Sequence, residues 1–196
     1  MKYLAIMGSF RKNKNTNAAL DAFIKGVEKS GDEVEKFYLR DMEIKDCIAC
    51  GHCSRTGECF IDDDMQTLYK LLDTVDGFIF AAPTYFNSIN ALAKRVVDRS
   101  QRYWGIKYDY GRDKVSISEK RGMYIGVGGA PYHREQFIGS ESVIDLFFKA
   151  VSANHIGNYA ISNTDQVPVS DRPEVLKELE ELGEKFKDID NFYIHK

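Results

Sequence analysis

The chain reads as an α/β domain, a doubly wound five-stranded parallel sheet with helices on both faces. Three observations predict it. Short apolar runs of strand length alternate with amphipathic segments of helical spacing along the chain. Some of these runs are apolar on both faces, as strands covered by helices on either side are. The 196 residues, 43% hydrophobic and 29% charged, suit one core and one domain over residues 1–196.

The elements follow in order. KYLAIMG, residues 2–8, is an apolar run stopped by Gly-Ser and forms the first strand. Residues 15–29 place Leu20, Phe23, Ile24 and Val27 at helical spacing, and Ser30-Gly31 closes that helix. EVEKFYL alternates and is the second strand. A cysteine loop, residues 45–61, comes next. DDDMQTLYKLLDTV is the second helix, with acidic residues in its first turn, where the helix dipole favours them. DGFIFAAPTY is the third strand and SINALAKRVVDRSQRYW the third helix. RGMYIGVGG, SESVIDLFFKAVSA and HIGNYAIS are the fourth strand, fourth helix and fifth strand. DRPEVLKELEELGEKFKDI closes the series as a helix, with Asp171 as its candidate cap and Pro173 in its first turn. One connection is long: residues 103–120, YWGIKYDYGRDKVSISEK. It is either a solvated loop with packing aromatics (Tyr103, Trp104, Tyr108, Tyr110) or a flap over a ligand or a subunit contact.

The net charge of −3 gives no reason to expect a nucleic-acid partner. The opening apolar run is too short for a signal-peptide core, and no apolar stretch is long enough to span a bilayer. A cytoplasmic protein with no membrane partner is the expectation.

In such a sheet, ligands sit beyond the carboxyl ends of the strands. Three loops there are chemically unusual. GSFRKNKNTN offers the Ser9 and Thr16 hydroxyls, the Asn15 and Asn17 amides, the Arg11 guanidinium and free N–H groups at a helix start. That set suits a phosphate, or is a well-capped helix with a polar entry turn. It lacks the spacing of a P-loop and of a dinucleotide fingerprint. In APTYFNSINA, Pro83 ends the strand, Tyr85 and Phe86 offer flat apolar surface, and Thr84, Asn87 and Ser88 offer donors and acceptors. A planar heterocycle needs that mixture, although two core aromatics beside a capped helix would look alike. In GVGGAPYH, Gly128 and Gly129 allow close backbone approach to a flat ring.

Taken together, the loops resemble those of the flavodoxin-like NAD(P)H-dependent flavin reductase superfamily, and the resemblance covers nearly the whole chain. Gly8, Ser9, Arg11 and Thr16 resemble its phosphate site G-S-x-R-x-x-x-x-T, and Pro83, Thr84 and Tyr85, extending to Ser88, its P-x-Y ring loop. Phe10 stands where many members have proline. The resemblance implies a flavodoxin-like fold and FMN as ligand. A single phosphate loop agrees better with FMN than with FAD.

All four cysteines lie in CIACGHCSRTGEC: Cys47, Cys50, Cys53 and Cys59, spaced C-x₂-C-x₂-C-x₅-C. In a reducing compartment, a chain this size has little use for a disulfide scaffold. The motif resembles that of the iron–sulfur flavoproteins within the same superfamily, which implies a [4Fe–4S] cluster with one thiolate on each iron. Zinc on four thiolates and metal-free thiols are the rivals. Lys45 and Arg55 could offset an anionic site. His52 is read as a surface residue, and His133 as an ordinary loop histidine rather than a proton donor at the ring.

The expected function is that of an FMN-dependent oxidoreductase passing electrons between FMN and a [4Fe–4S] cluster. The resemblance further implies a homodimer or homotetramer in which the cluster of one subunit lies near the flavin of another. Ferredoxin is the implied electron donor. The alternative is an NAD(P)H-dependent, FMN-containing reductase of quinones, nitro compounds or flavin, its cysteine loop structural or zinc-bound. A phospho-receiver domain of the same topology is disfavoured, because it needs acidic residues where this chain has Gly8-Ser9-Phe10-Arg11.

Overall fold

The computed structural model describes residues 1–109 and 120–196. The five expected strands are β1 (Lys2–Met7), β2 (Glu33–Tyr38), β3 (Gly77–Tyr85), β5 (Lys120–Val127) and β6 (Ala153–Ile161). They pair in parallel in the order β2-β1-β3-β5-β6, so the doubly wound, flavodoxin-like reading holds. Two further strands bring the number among the described residues to seven. β4 (Ser88–Ile89) folds back antiparallel on β3, and β7 (Phe192–His195) adds a parallel edge beside β6.

The alternation along each strand sorts the core into two layers. Tyr3, Ala5 and Met7 of β1 face the same layer as Ile79 and Ala81 of β3. Leu4 and Ile6 face the other layer, with Phe78 and Phe80. The first layer is covered by α1 (Asn15–Lys29) and α7 (Pro173–Glu184). The second is covered by α3 (Met65–Thr74), α4 (Ala91–Arg99), α5 (Gln101–Tyr108) and α6 (Ile138–Ala150). A short helix, α2 (His52–Thr56), lies inside the cysteine loop and buries none of its residues.

Several sequence expectations need correction. The third helix is two, parted at Ser100, whose hydroxyl donates to Val96 O at 2.9 Å. The long connection is helical through Tyr108, and residues 110–119 of it lie outside the described residues. Asp63 and Asp64 precede α3 rather than filling its first turn. Arg172, not Asp171, stands at the N-cap of α7, without a side-chain bond, while Pro173 takes the first helical position. The last helix stops at Glu184 because Phe186 turns inward, edge-on to Tyr3 at 4.9 Å and Phe23 at 5.2 Å. Arg121 then donates to Phe186 O at 3.0 Å, and the chain is redirected into β7.

α1 and α7 cross at Gly26 and Gly183. A Cβ on Gly26 would lie 1.9 Å from the Glu180 carbonyl oxygen, and one on Gly183 would lie 2.2 Å from that of Phe23. Gly26→Ala is therefore expected to lower stability by about 1–3 kcal/mol through overpacking. A urea titration checks it. An unchanged midpoint in the variant would mean that the two helices do not pack this closely.

Candidate functional site

The carboxyl ends of β1, β3 and β5 open into a cleft of about 370 Å³. From the first loop it takes Ser9, Arg11, Asn15 and Thr16, and from the β3–β4 hairpin Pro83, Thr84, Tyr85 and Phe86. After β5 it takes Gly129. The remaining sequence-assigned residues do not line it. The Asn17 amide donates to Asp21 at 2.5 Å, and its oxygen accepts from Lys36 at 2.9 Å. Asn87 and Ser88 form the far side of the hairpin. Gly128 sits behind the cleft, where a Cβ would lie 2.5 Å from Gln136 Nε2.

The start of α1 is not the well-capped helix that was the alternative. Its N-cap residue, Lys14, is extended, and no side chain caps the first turn. Those N–H groups have no intrahelical acceptor, and the positive end of the helix dipole lies there. Arg11 and Lys14 add two cations beside the Ser9 and Thr16 hydroxyls. Ser9 Oγ accepts from the Arg11 backbone N–H at 3.2 Å, which folds the loop back on itself. Asn90 ties the loop to α4: its side chain accepts from Ala93 N at 3.1 Å and donates to Gly8 O at 2.8 Å. The site as a whole can receive a multiply charged anion.

The β3–β4 connection is a two-residue hairpin. Tyr85 pairs with Ser88, and Phe86 and Asn87 both lie at positive φ, 50° and 60°. Asn tolerates that region, but Phe there is strained by on the order of 1 kcal/mol. Phe86 is also wholly exposed and Tyr85 half exposed, so the cleft rim carries bare aromatic surface.

Sequence reasoning missed a fourth wall. Thr164 and Asp165, after β6, line the cleft, as do Lys14, Val127 and Ala130. Thr164 Oγ1 donates to Gly128 O at 3.1 Å, and Asn15 bridges the same loop, donating to Thr164 O and accepting from Val169 N. The polar run Asn163-Thr164-Asp165 at a strand's carboxyl end was the available signal. His133 is exposed and lies 3.6 Å from Glu135, not in the cleft lining.

The four cysteines form a second site. Cys47, Cys50, Cys53 and Cys59 all line one cavity of about 190 Å³, together with His52, Phe60 and Arg99. Gly51 and Gly57, at φ 67° and 76°, flank α2 and let the loop turn at both ends of it. All four thiols are free. Among the described residues, no three His, Cys, Asp or Glu side chains are grouped to hold a single metal ion. Burial pushes the Cys53 thiol up, and the neighbouring Cys59 and Cys47 thiols add to it. Ionising all of them together therefore requires cationic compensation.

A cation that sequence reasoning missed touches this loop. Lys45 and Arg55 are exposed. Arg99 is buried and forks onto Asp63 at 2.6 and 3.1 Å. It also donates to Lys45 O at 3.0 Å and to Cys59 Sγ at 3.4 Å. Arg95 pairs with Asp46 at 2.8 Å, and Arg102 donates to Gly57 O at 3.0 Å. Arg95 and Arg99 of α4 and Arg102 of α5 stand at i, i+4 and i+7, a spacing readable in RVVDRSQR.

A flavodoxin-like domain with an anion-ready cleft at its strand ends and a separate four-thiol cavity is the class that fold and sites define. The chain belongs to the NADPH-dependent FMN reductase family, whose model matches residues 1–166. It is similar to an iron-sulfur flavoprotein of Archaeoglobus fulgidus, 38% identical over 131 residues, 65% of this chain and 56% of that one. An iron-sulfur flavoprotein of Methanosarcina thermophila is 32% identical over 130 residues, 66% of this chain and 64% of that one. The chain thus matches less than two thirds of the length of these relatives. An NAD(P)H:quinone oxidoreductase from Methanothermobacter marburgensis shares the fold, with a TM-score of 0.70 at 15% identity, covering 95% of this chain and 96% of that one. No helix among the described residues is long and apolar enough to cross a membrane.

The Asp63–Arg99 pair gives the thiol loop a pH dependence. Burial raises the Asp63 carboxyl, but the Arg99 fork and the N–H groups of Lys45 and Met65 outweigh burial and hold it below the usual range. A depressed folded pKa adds stability above the unfolded value, near pH 4, that is lost as the pH falls through the folded one. The urea midpoint of the wild type should therefore fall further between about pH 6 and pH 3 than that of Asp63→Asn. Parallel declines would remove the pair from the acid response.

Proposed function

We propose that this chain is a cytoplasmic FMN-dependent redox protein that passes electrons between FMN and a [4Fe–4S] cluster. The observation that carries the reading is that every thiol of the chain lines one cavity, beside a buried guanidinium. The donor set fits an iron–sulfur group: four thiolates and a fixed cation to offset them. The cleft fits FMN. The uncapped α1 start, Ser9, Thr16, Arg11 and Lys14 suit a phosphate dianion, and Tyr85 and Phe86 offer flat surface beside the Thr84 hydroxyl.

When bound, FMN exchanges electrons in ones or twos and the cluster exchanges them singly, which lets one protein join a two-electron and a one-electron partner. The chain's own residues bind and orient. In this reading Arg11 and Lys14 hold the phosphate end, Thr84, Tyr85 and Phe86 of the hairpin cover the ring, and Gly129 is the backbone opposite. The two cavities share no lining residue. This supports transfer between subunits of a homodimer or homotetramer, and the exposed Phe10, Tyr85, Phe86 and Tyr132 supply apolar surface for such contacts. Reduced ferredoxin is the proposed donor. The match to NADPH-dependent FMN reductases favours a second reading, hydride supply by NAD(P)H for reduction of quinones, nitro compounds or flavin, with the thiols structural or zinc-bound. Fast flavin bleaching by reduced ferredoxin and slow bleaching by NAD(P)H is the expected result, and the reverse order promotes the second reading.

Arg11→Ala and Thr16→Ala should each weaken FMN binding about tenfold or more, since each removes a donor to a charged group. Unchanged affinity in both would remove the phosphate assignment. Cys50→Ala, prepared anaerobically, should keep FMN and lose iron and acid-labile sulfide together. One zinc per wild-type chain with no sulfide would sink the cluster.

A further inference from the structure

We propose that Arg99 is a positioning residue for the iron–sulfur group: its buried guanidinium, locked by Asp63, sets a fixed positive charge against Cys59 and raises the cluster's reduction potential. This rests on the reading of the thiol cavity as a cluster site.

The placement is more than a structural ion pair requires. Arg99 and Asp63 side chains are 1% and 2% exposed. Burying such a pair gains little stability over apolar packing of the same volume. This pair also leaves Arg99 Nε buried with no hydrogen-bond partner, a cost that packing alone does not explain. What the arrangement achieves is direction. Asp63 takes both terminal nitrogens of the fork, and its second oxygen and first oxygen also accept from Lys45 N at 2.9 Å and Met65 N at 3.1 Å. The carboxylate is therefore saturated, and the guanidinium plane cannot swing away from the cavity. Its Nη2 lies 3.4 Å from Cys59 Sγ, and Arg99 lines the cavity with all four cysteines. Arg95 and Arg102 reach only Asp46 and the Gly57 carbonyl in this loop.

The sign follows from charge. A cluster on four thiolates is anionic, and reduction adds one more negative charge. A fixed cation at hydrogen-bond distance, shielded from water, stabilises the reduced form more than the oxidised form. Asp63 lies on the far side of the guanidinium from the contacting Nη2–Sγ pair only in part, since it shares Nη2, so the ion pair acts as a dipole and not as a full isolated charge. Lysine could supply charge, but one ammonium cannot hold the two carboxylate oxygens and a sulfur in the plane that the fork serves.

The test is a potentiometric titration of anaerobically prepared protein, following the cluster by electron paramagnetic resonance and the FMN couple as internal reference. The double variant Asp63→Asn, Arg99→Gln removes the charge without stranding a buried carboxylate. The iron and sulfide that it retains should show a cluster potential more negative than wild type, with the FMN couple unmoved. Arg99→Lys should shift the cluster in the same direction by less, and it decides the matter if the double variant does not fold. A wild-type cluster potential in the folded Arg99 variants overturns the role of Arg99 and leaves the cluster in place. Absence of sulfide from the wild type overturns the cluster reading and this proposal with it.

Discussion

The Arg99–Asp63 ion pair holds a stretch of chain that has little else to hold it. No residue of the cysteine loop is fully buried; Leu39 and Ile44 reach the core before it, and within it Cys59 packs against the core. Such a segment cannot order itself by burial of apolar surface. The fork from Arg99 joins α4, the entry to α3 and both ends of the loop in one hydrogen-bonded unit. Gln66 reinforces it by donating to Cys59 O at 2.9 Å and Ile61 O at 2.8 Å. Because the pair is buried, removing one partner strands the other, so the loop's order is tied to both.

The same division between core and site appears at the cleft. Two apolar layers, sorted by strand alternation, make the sheet rigid, and the cleft loops inherit fixed starting points at its edge. The features that would destabilise an ordinary surface are concentrated there. α1 begins without a cap, Phe86 sits at positive φ, and aromatic rings stand bare to solvent. Each is a local cost that a bound anion or ring could offset.

The cleft and the four-thiol cavity lie on one domain. The phosphate loop and the segment leading to the thiols do touch: Arg40 donates to Phe10 O at 2.6 Å, and Lys12 pairs with Asp41 at 3.0 Å. Past that point the chain runs to α4 and α5, away from the cleft lining.

The sequence by itself determined the fold class, the five central strands and α1 to the residue, because alternation and helical spacing are local patterns that burial enforces. It also displayed the donor types and thiol spacing of the two candidate sites, which are written in short contiguous loops. The tertiary structure decided what those loops meet. β7 was not legible, because four residues gain strand character only by pairing with β6. Thr164 and Asp165 entered the cleft through loop-to-loop hydrogen bonds that no single segment encodes. Asn17 left it because its amide finds Asp21 and Lys36 first. Arg99 lies forty residues after Cys59, and only the packing of α4 against the loop brings its guanidinium to that thiol.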